Sequence, residues 1–153
     1  MSAKLASRPM FSVASANRML PLVRMIVGDI VDLFRDVRDR EERLNGLRKG
    51  DARNIQRGDL YDEEVEQIRL DLEKDVERLQ GFVDELLELG VEFKDPVIGL
   101  IDFPAMMDGQ EVSLCWKLGE PTITHWHTLD AGFSGRQLLK LTDMDANETH
   151  ERN

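Results

Sequence analysis

From Val13 onward, apolar residues recur at alternating intervals of three and four: Val13, Ala16, Leu20, Val23, Val27, Ile30, Phe34 and Val37. Glu41 breaks the series and Leu44 resumes it, while Arg, Asp and Glu fill the positions between. A repeat near 3.5 residues predicts a long amphipathic helix with a coiled-coil-like seam over residues 11–45. Ser12 can accept from the free N–H groups of the first turn as an N-cap. The acidic or amide residue of a full capping box is replaced by Ser15. Pro21 predicts a kink, or a short first helix ending before it. Gly28 weakens the helix locally but permits close packing.

Over 46–59 the periodicity lapses. Gly46, Gly50 and Gly58 alternate with Arg48, Lys49, Arg53 and Arg57, which predicts a flexible basic linker. A second stripe follows over 60–90, running through Val65, Ile68, Leu72, Val76, Leu79, Val83 and Leu86. Asp62, Glu63 and Glu64 suit the positive end of that helix, and Gly90 is a natural stop. Two such helices joined by a linker predict an antiparallel hairpin. Helices of about 30 residues reach roughly 45 Å, more than a small sheet can cover. The surplus stripe predicts a homodimer through the hairpin.

Beyond Gly90 the period changes to two. Val91–Phe93, Leu100–Phe103, Glu111–Trp116 and Thr122–His127 read as strands, separated by turns at Asp95-Pro96, Met107-Asp108-Gly109 and Gly119-Glu120-Pro121. The fold class is therefore α+β: a long helical hairpin and a small C-terminal antiparallel sheet, in one domain spanning 11–137. Residues 1–10 read as a flexible leader and 138–153 as a polar, disordered tail.

Composition narrows the functional classes. Of 153 residues, 33% are charged, and the formal net charge is −10. Such a chain repels phosphate backbones, so nucleic acid is a poor partner. One cysteine excludes an internal disulfide. The first ten residues contain no apolar signal core and no run is long enough to cross a bilayer, which predicts a cytoplasmic protein without a membrane partner.

The versatile side chains concentrate between Lys94 and Arg136, which hold both Trp, the single Cys115, and two of the three His. His125 and His127 share a strand face, so both can reach one metal ion. Two His make half of a zinc site. Cys115, Glu120, Asp130 and Asp102 are candidates for the rest, and the ion would be zinc or another divalent transition metal. The competing reading is two hydrogen-bonded histidines at a sheet edge. Register decides. With Lys117 opposite Thr122, the histidines share a face with Leu114 and Trp116. One residue of slip places Cys115 opposite His125 and permits a Cys–His–His cluster.

Gly132-Phe133-Ser134-Gly135-Arg136 can hold a small anion through backbone N–H groups and a fixed cation, making His127, Arg136, Glu120 and Asp102 the ligand-binding set. Its plainer reading is a tight turn whose Arg136 pairs with Glu120 or Asp102, with Asp102–Arg136 the pairing to test. Cys115 inside Leu-Cys-Trp reads as a buried thiol rather than a nucleophile activated by His127.

Lys94-Asp95-Pro96, Gly99-Leu100-Ile101-Asp102-Phe103-Pro104, Leu114-Cys115-Trp116, Gly119-Glu120, Trp126-His127 and Gly132-Phe133-x-Gly135-Arg136 form a set. With Ala16-Asn17 and Leu20-Pro21, they resemble the bacterial proteins grouped as domain of unknown function 2203, over roughly Phe11 to Arg136. The resemblance implies a stand-alone bacterial domain of this length and supplies no activity. Ser15 and His125 depart from residues common in that family.

Without a complete catalytic constellation, the sequence points first to a non-catalytic dimeric assembly or adaptor protein. The alternative is a metal- or small-anion-binding protein, conceivably an enzyme, using His125, His127 and Arg136. A third reading binds an acidic partner through the basic stretch Arg48 to Arg57.

Overall fold

A computed structural model describes residues 10–53, 58–140 and 142. Helix α1 spans Val13–Arg53 and α2 spans Gly58–Glu88. Five strands follow: β1 Glu92–Asp95, β2 Leu100–Met107, β3 Gln110–Lys117, β4 His125–Thr128 and β5 Gln137–Leu138. All neighbours are antiparallel in the order β1-β2-β3-β4-β5. The fold is α+β, a helical hairpin joined to a meander sheet. No described helix is long and apolar enough to cross a membrane.

Helix α1 opens with a capping box made of two serines. Ser15 N–H donates to Ser12 Oγ and Ser12 N–H donates to Ser15 Oγ, each at 2.9 Å. Ser15 thus does the work of the missing Glu. The residue before the cap is stapled to the sheet: Phe11 N–H donates to Pro104 O at 2.7 Å, and its ring meets Phe103 edge-on at 5.1 Å.

Three expectations about the helices are corrected. First, α1 runs through Pro21 without ending. Proline removes only the bond to the carbonyl four residues back, while buried Leu20 and Val23 on either side hold the helix on the core. Second, the expected linker 46–59 is largely helical, since α1 continues to Arg53 and α2 begins at Gly58. Single glycines cost a helix about 1 kcal/mol each, and buried Leu44 and the Arg43–Glu64 pair at 2.9 Å keep the two helices together there. Residues 54–57, with Arg57 of the basic stretch, lie outside the described residues. Third, the α2 stripe is displaced at one position, while Val65, Ile68, Leu72, Leu79, Val83 and Leu86 stay half-buried or buried as expected. Val76 is 47% exposed, while Asp75 beside it is 7% exposed and pairs with Arg40 of α1.

Helix α2 ends in a Schellman arrangement. Gly90 adopts φ 87, Val91 N–H donates to Leu86 O, and Gly90 N–H donates to Leu87 O. This returns the chain to the helices' apolar side. One face of the sheet, with Ile101, Phe103, Ala105, Val112, Leu114 and Trp116, packs on the N-terminal half of α1 and the end of α2. Gly99 fixes how closely the β1–β2 turn approaches α1. At φ 67, a Cβ there would lie 2.9 Å from a Val27 methyl carbon and 2.8 Å from Leu118 Cβ.

The expected disordered tail from 138 is also corrected. Leu138 pairs with His125 in β5, Leu139 is buried, and Leu139 N–H donates to Thr124 O at 2.8 Å. Buried Leu139 anchors this added edge strand, while Leu138 stays exposed. Residues 1–9, 141 and 143–153, which include most of the expected leader and tail, lie outside the described residues.

Candidate metal centre

Period-two alternation that points Ile101, Leu114 and Trp116 at the helices must point Asp102, Ser113, Cys115, His125 and His127 the other way. Register then sorts them. Asp102 stands opposite Cys115, and Cys115 opposite His125, in one row across β2, β3 and β4. In the next row, Ser113 stands opposite His127. Of the two registers open to the sequence, the protein adopts the one that faces Cys115 with His125.

His127 arches over β3 to reach Asp102, with Nε2 to Oδ2 at 3.0 Å. Its other nitrogen, Nδ1, lies 2.7 Å from Thr128 O. A carbonyl only accepts, so Nδ1 carries a proton and donates. One further proton then sits between Nε2 and Oδ2, and the pair is neutral overall wherever that proton rests. Asp102, Cys115 and His127 are all buried, and one ligand atom from each lies within 4.8 Å of the others. The remaining Asp102 oxygen, Oδ1, is buried and accepts no hydrogen bond from any described residue. Burial pushes the Asp102 carboxyl above its usual range, against the opposing pull of the His127 contact. Burial, then the Asp102 charge, pushes the Cys115 thiol up to about 11.

Among the described residues no hydrogen-bonded base activates that thiol, since both His127 nitrogens are engaged elsewhere. Native Cys115 is therefore expected to react with iodoacetamide at pH 8 about a hundredfold more slowly than in urea, from its thiolate fraction alone. Mass spectrometry of the labelled protein checks this. Equal rates would show that the thiol is not held in its protonated, buried state.

Glu120 and Arg136 form a second cluster at the rim. Arg136 donates to Glu120 Oε1 at 2.9 Å and to Cys115 O at 3.3 Å. Lys117 N–H also donates to Glu120 Oε1, and Trp116 Nε1 donates to the Glu120 carbonyl. Burial pushes Glu120 up, but the Arg136 hydrogen bond, the Lys117 N–H and the charges of Arg136 and His125 outweigh it and hold the carboxyl below its usual range. The Phe133–Gly135 turn lays the Phe133 ring 5.0 Å from the Arg136 guanidinium. Within the turn, the Gly135 and Arg136 N–H groups donate to Gly132 O and Phe133 O.

The expected residues thus divide. His127 and Cys115 converge, with Asp102 as their third member. His125 turns aside: its Nδ1 lies 2.8 Å from Thr124 Oγ1 and 3.8 Å from Glu120 Oε2. Asp130 accepts from Thr128 Oγ1 in an exposed turn, away from the cluster. The proposed Asp102–Arg136 pairing is corrected, since Asp102 pairs with His127 and Arg136 with Glu120. A carboxylate between apolar neighbours in Leu-Ile-Asp-Phe was the visible signal for Asp102. Its partner lies 25 residues away and depends on two strand registers.

Fold and site together define a class: an α+β protein whose helical hairpin backs a meander sheet, with a buried carboxylate–thiol–imidazole cluster on the sheet's far side. The chain belongs to the family described as "Uncharacterized conserved protein (DUF2203)", which matches residues 9–139. Neither a curated protein nor a solved structure matches the chain.

Proposed function

We propose that this is a metal-binding protein in which Asp102, Cys115 and His127 hold one divalent transition-metal ion. The observation that carries the reading is the convergence of these three buried donors within 4.8 Å. Carboxylate, thiolate and imidazole together suit zinc, with bonds of about 2.0–2.3 Å. The His127 Nδ1–H to Thr128 carbonyl bond fixes the ring as the outer partners of metal-bound histidines do. A metal also gives Asp102 Oδ1 the partner it lacks among described residues.

Charge supports the same reading. The ion replaces two protons, one from the Cys115 thiol and one from the Asp102–His127 pair, so the buried site stays neutral. Apparent affinity is therefore expected to rise with pH, by up to about a hundredfold per unit. Titration calorimetry in buffers of different ionisation enthalpy counts the protons, and zero released would contradict this ligand set. The primary test is plasma-emission metal analysis after zinc loading and desalting. About one zinc per wild-type chain, lost in Asp102→Asn and Cys115→Ser, is expected. Sub-stoichiometric zinc in the wild type overturns the proposal. A ligating thiol must stay reduced, which favours a cytoplasmic location.

A second reading, homodimeric assembly through the hairpin, has its own support. Along the distal arm, α2 leaves Leu70 and Val76 exposed and Val65, Ile68 and Leu72 half-buried. A two-helix arm covers each seam from one side only. Light scattering at micromolar concentration is expected to give a dimer for the wild type and a monomer for Val76→Glu. The substitution should leave monomer stability within about 0.5 kcal/mol. A monomeric wild type removes this reading.

A further inference from the structure

Three ligands leave one position on a four-coordinate ion, and the neighbouring side chains limit what can fill it. We infer that His125 is the fourth ligand, making an Asp–Cys–His–His site; this rests on the metal reading above. His125 stands directly opposite Cys115 on the same face, in the row that also holds Asp102. Directly opposed residues place their Cβ atoms about 4.5–5.5 Å apart, within the span that an imidazole and a thiolate can bridge through one ion. An ion above Cys115 then has Asp102 on one side, His125 on the other, and His127 arching in from the adjacent row.

The other polar groups nearby are poorer candidates. Ser113 offers a neutral hydroxyl. Glu120 is held through Oε1 by Arg136 and the Lys117 N–H, which orient its carboxyl toward the rim. Among the described residues, His125 is tied by the Thr124 hydroxyl and a 3.8 Å approach to Glu120. Its side chain is 24% exposed, so it has room to turn. A neutral hydrogen bond contributes far less net stabilisation than a metal–imidazole bond. Metal loading therefore draws His125 off Thr124 and Glu120, while Glu120 keeps Arg136. Four protein ligands close the coordination sphere, so the ion pins β2, β3 and β4 together and leaves no position for a reactive water.

Cobalt(II) substitution of the full chain tests the assignment. The wild type is expected to show the intense visible bands of four-coordinate cobalt and a thiolate charge-transfer band, and X-ray absorption of its zinc form to count two imidazoles. His125→Ala is expected to weaken cobalt binding by at least about 10–100-fold, the cost of losing even an outer partner of a metal ligand. Water then takes the opened position, so the visible bands should shift while the thiolate band stays, and added imidazole should restore the wild-type bands. Unchanged bands and affinity in His125→Ala, or one imidazole in the wild type, would overturn this assignment alone. Absence of the thiolate band from the wild type would overturn the metal reading and this assignment with it.

Discussion

His127→Ala is expected to weaken zinc binding by at least about a hundredfold and to destabilise the metal-free protein by about 3 kcal/mol. The first figure follows from the proposed role of His127 as a ligand, since losing even the outer partners of metal ligands costs about 10–100-fold. The second follows from what remains. Asp102 stays buried between β1 and β3 with neither oxygen paired, and breaking a buried pair costs about 3–5 kcal/mol. The low end applies because Asp102 can keep a proton. Its carboxyl already lies above its usual range through burial, and removing His127 also removes the opposing pull.

The sign of the pH effect follows. A folded-state value above the unfolded one contributes stability that is present at low pH and lost as pH rises through the folded value. The variant's deficit should therefore be smaller at pH 5 than at pH 8 in urea melts of chelator-treated protein. His127→Gln, which can still donate to Asp102, should recover part of the stability but not the metal. Equal zinc content in the wild type and both variants would sink the assignment of His127 as a ligand.

Glu120→Ala is expected to cost about 2–3 kcal/mol, with a similar loss for Arg136→Ala. Each strands a charged partner: the side chains are only 14% and 16% exposed, for Arg136 and Glu120 respectively. That residual exposure lets water offset part of the 3–5 kcal/mol of a fully buried pair, and the figures above are reduced accordingly. The double variant should cost less than the two singles together, by about 1–2 kcal/mol, because neither charge is left alone. Thermal or urea melts of the four proteins complete the cycle, and simple additivity would mean that the pair does not hold the rim. Glu120 is held below its usual carboxylate range. Its contribution is present above the unfolded-state value and fades as pH falls through the folded one. The gap between the wild type and Glu120→Ala should narrow in acid.

Both sets of variants concern side chains that the sequence singled out, with Glu120 already one of two partners open to Arg136. The sequence leaves Asp102 and Glu120 alike open as partners of Arg136, and only the Lys117–Glu120 turn decides: its N–H and carbonyl bonds hold the Glu120 carboxyl under Arg136. Asp75 and Val76 teach the same lesson on the helices. Counting apolar residues places Val76 inward, but the cation of Arg40 on the facing helix brings Asp75 into the seam instead. A one-dimensional pattern carries the hydrophobicity of one chain segment, not the charge waiting opposite it.

By itself the sequence determined the class of fold. Alternation of threes and fours from Val13 to Leu44, a glycine stop and a switch to period two admit a helical hairpin and a sheet, because backbone geometry ties each period to one element. It also determined which stretch holds the chemistry, since nearly all the versatile side chains fall between Lys94 and Arg136. Tertiary structure alone decided which of them meet. Asp102, Cys115 and His127 lie on three strands, and a slip of one residue between any two turns a side chain to the opposite face. The register is set where whole faces pack, by Trp116, Phe103 and Leu114 filling the space above α1. The polar cluster on the other face is positioned by a core it does not touch.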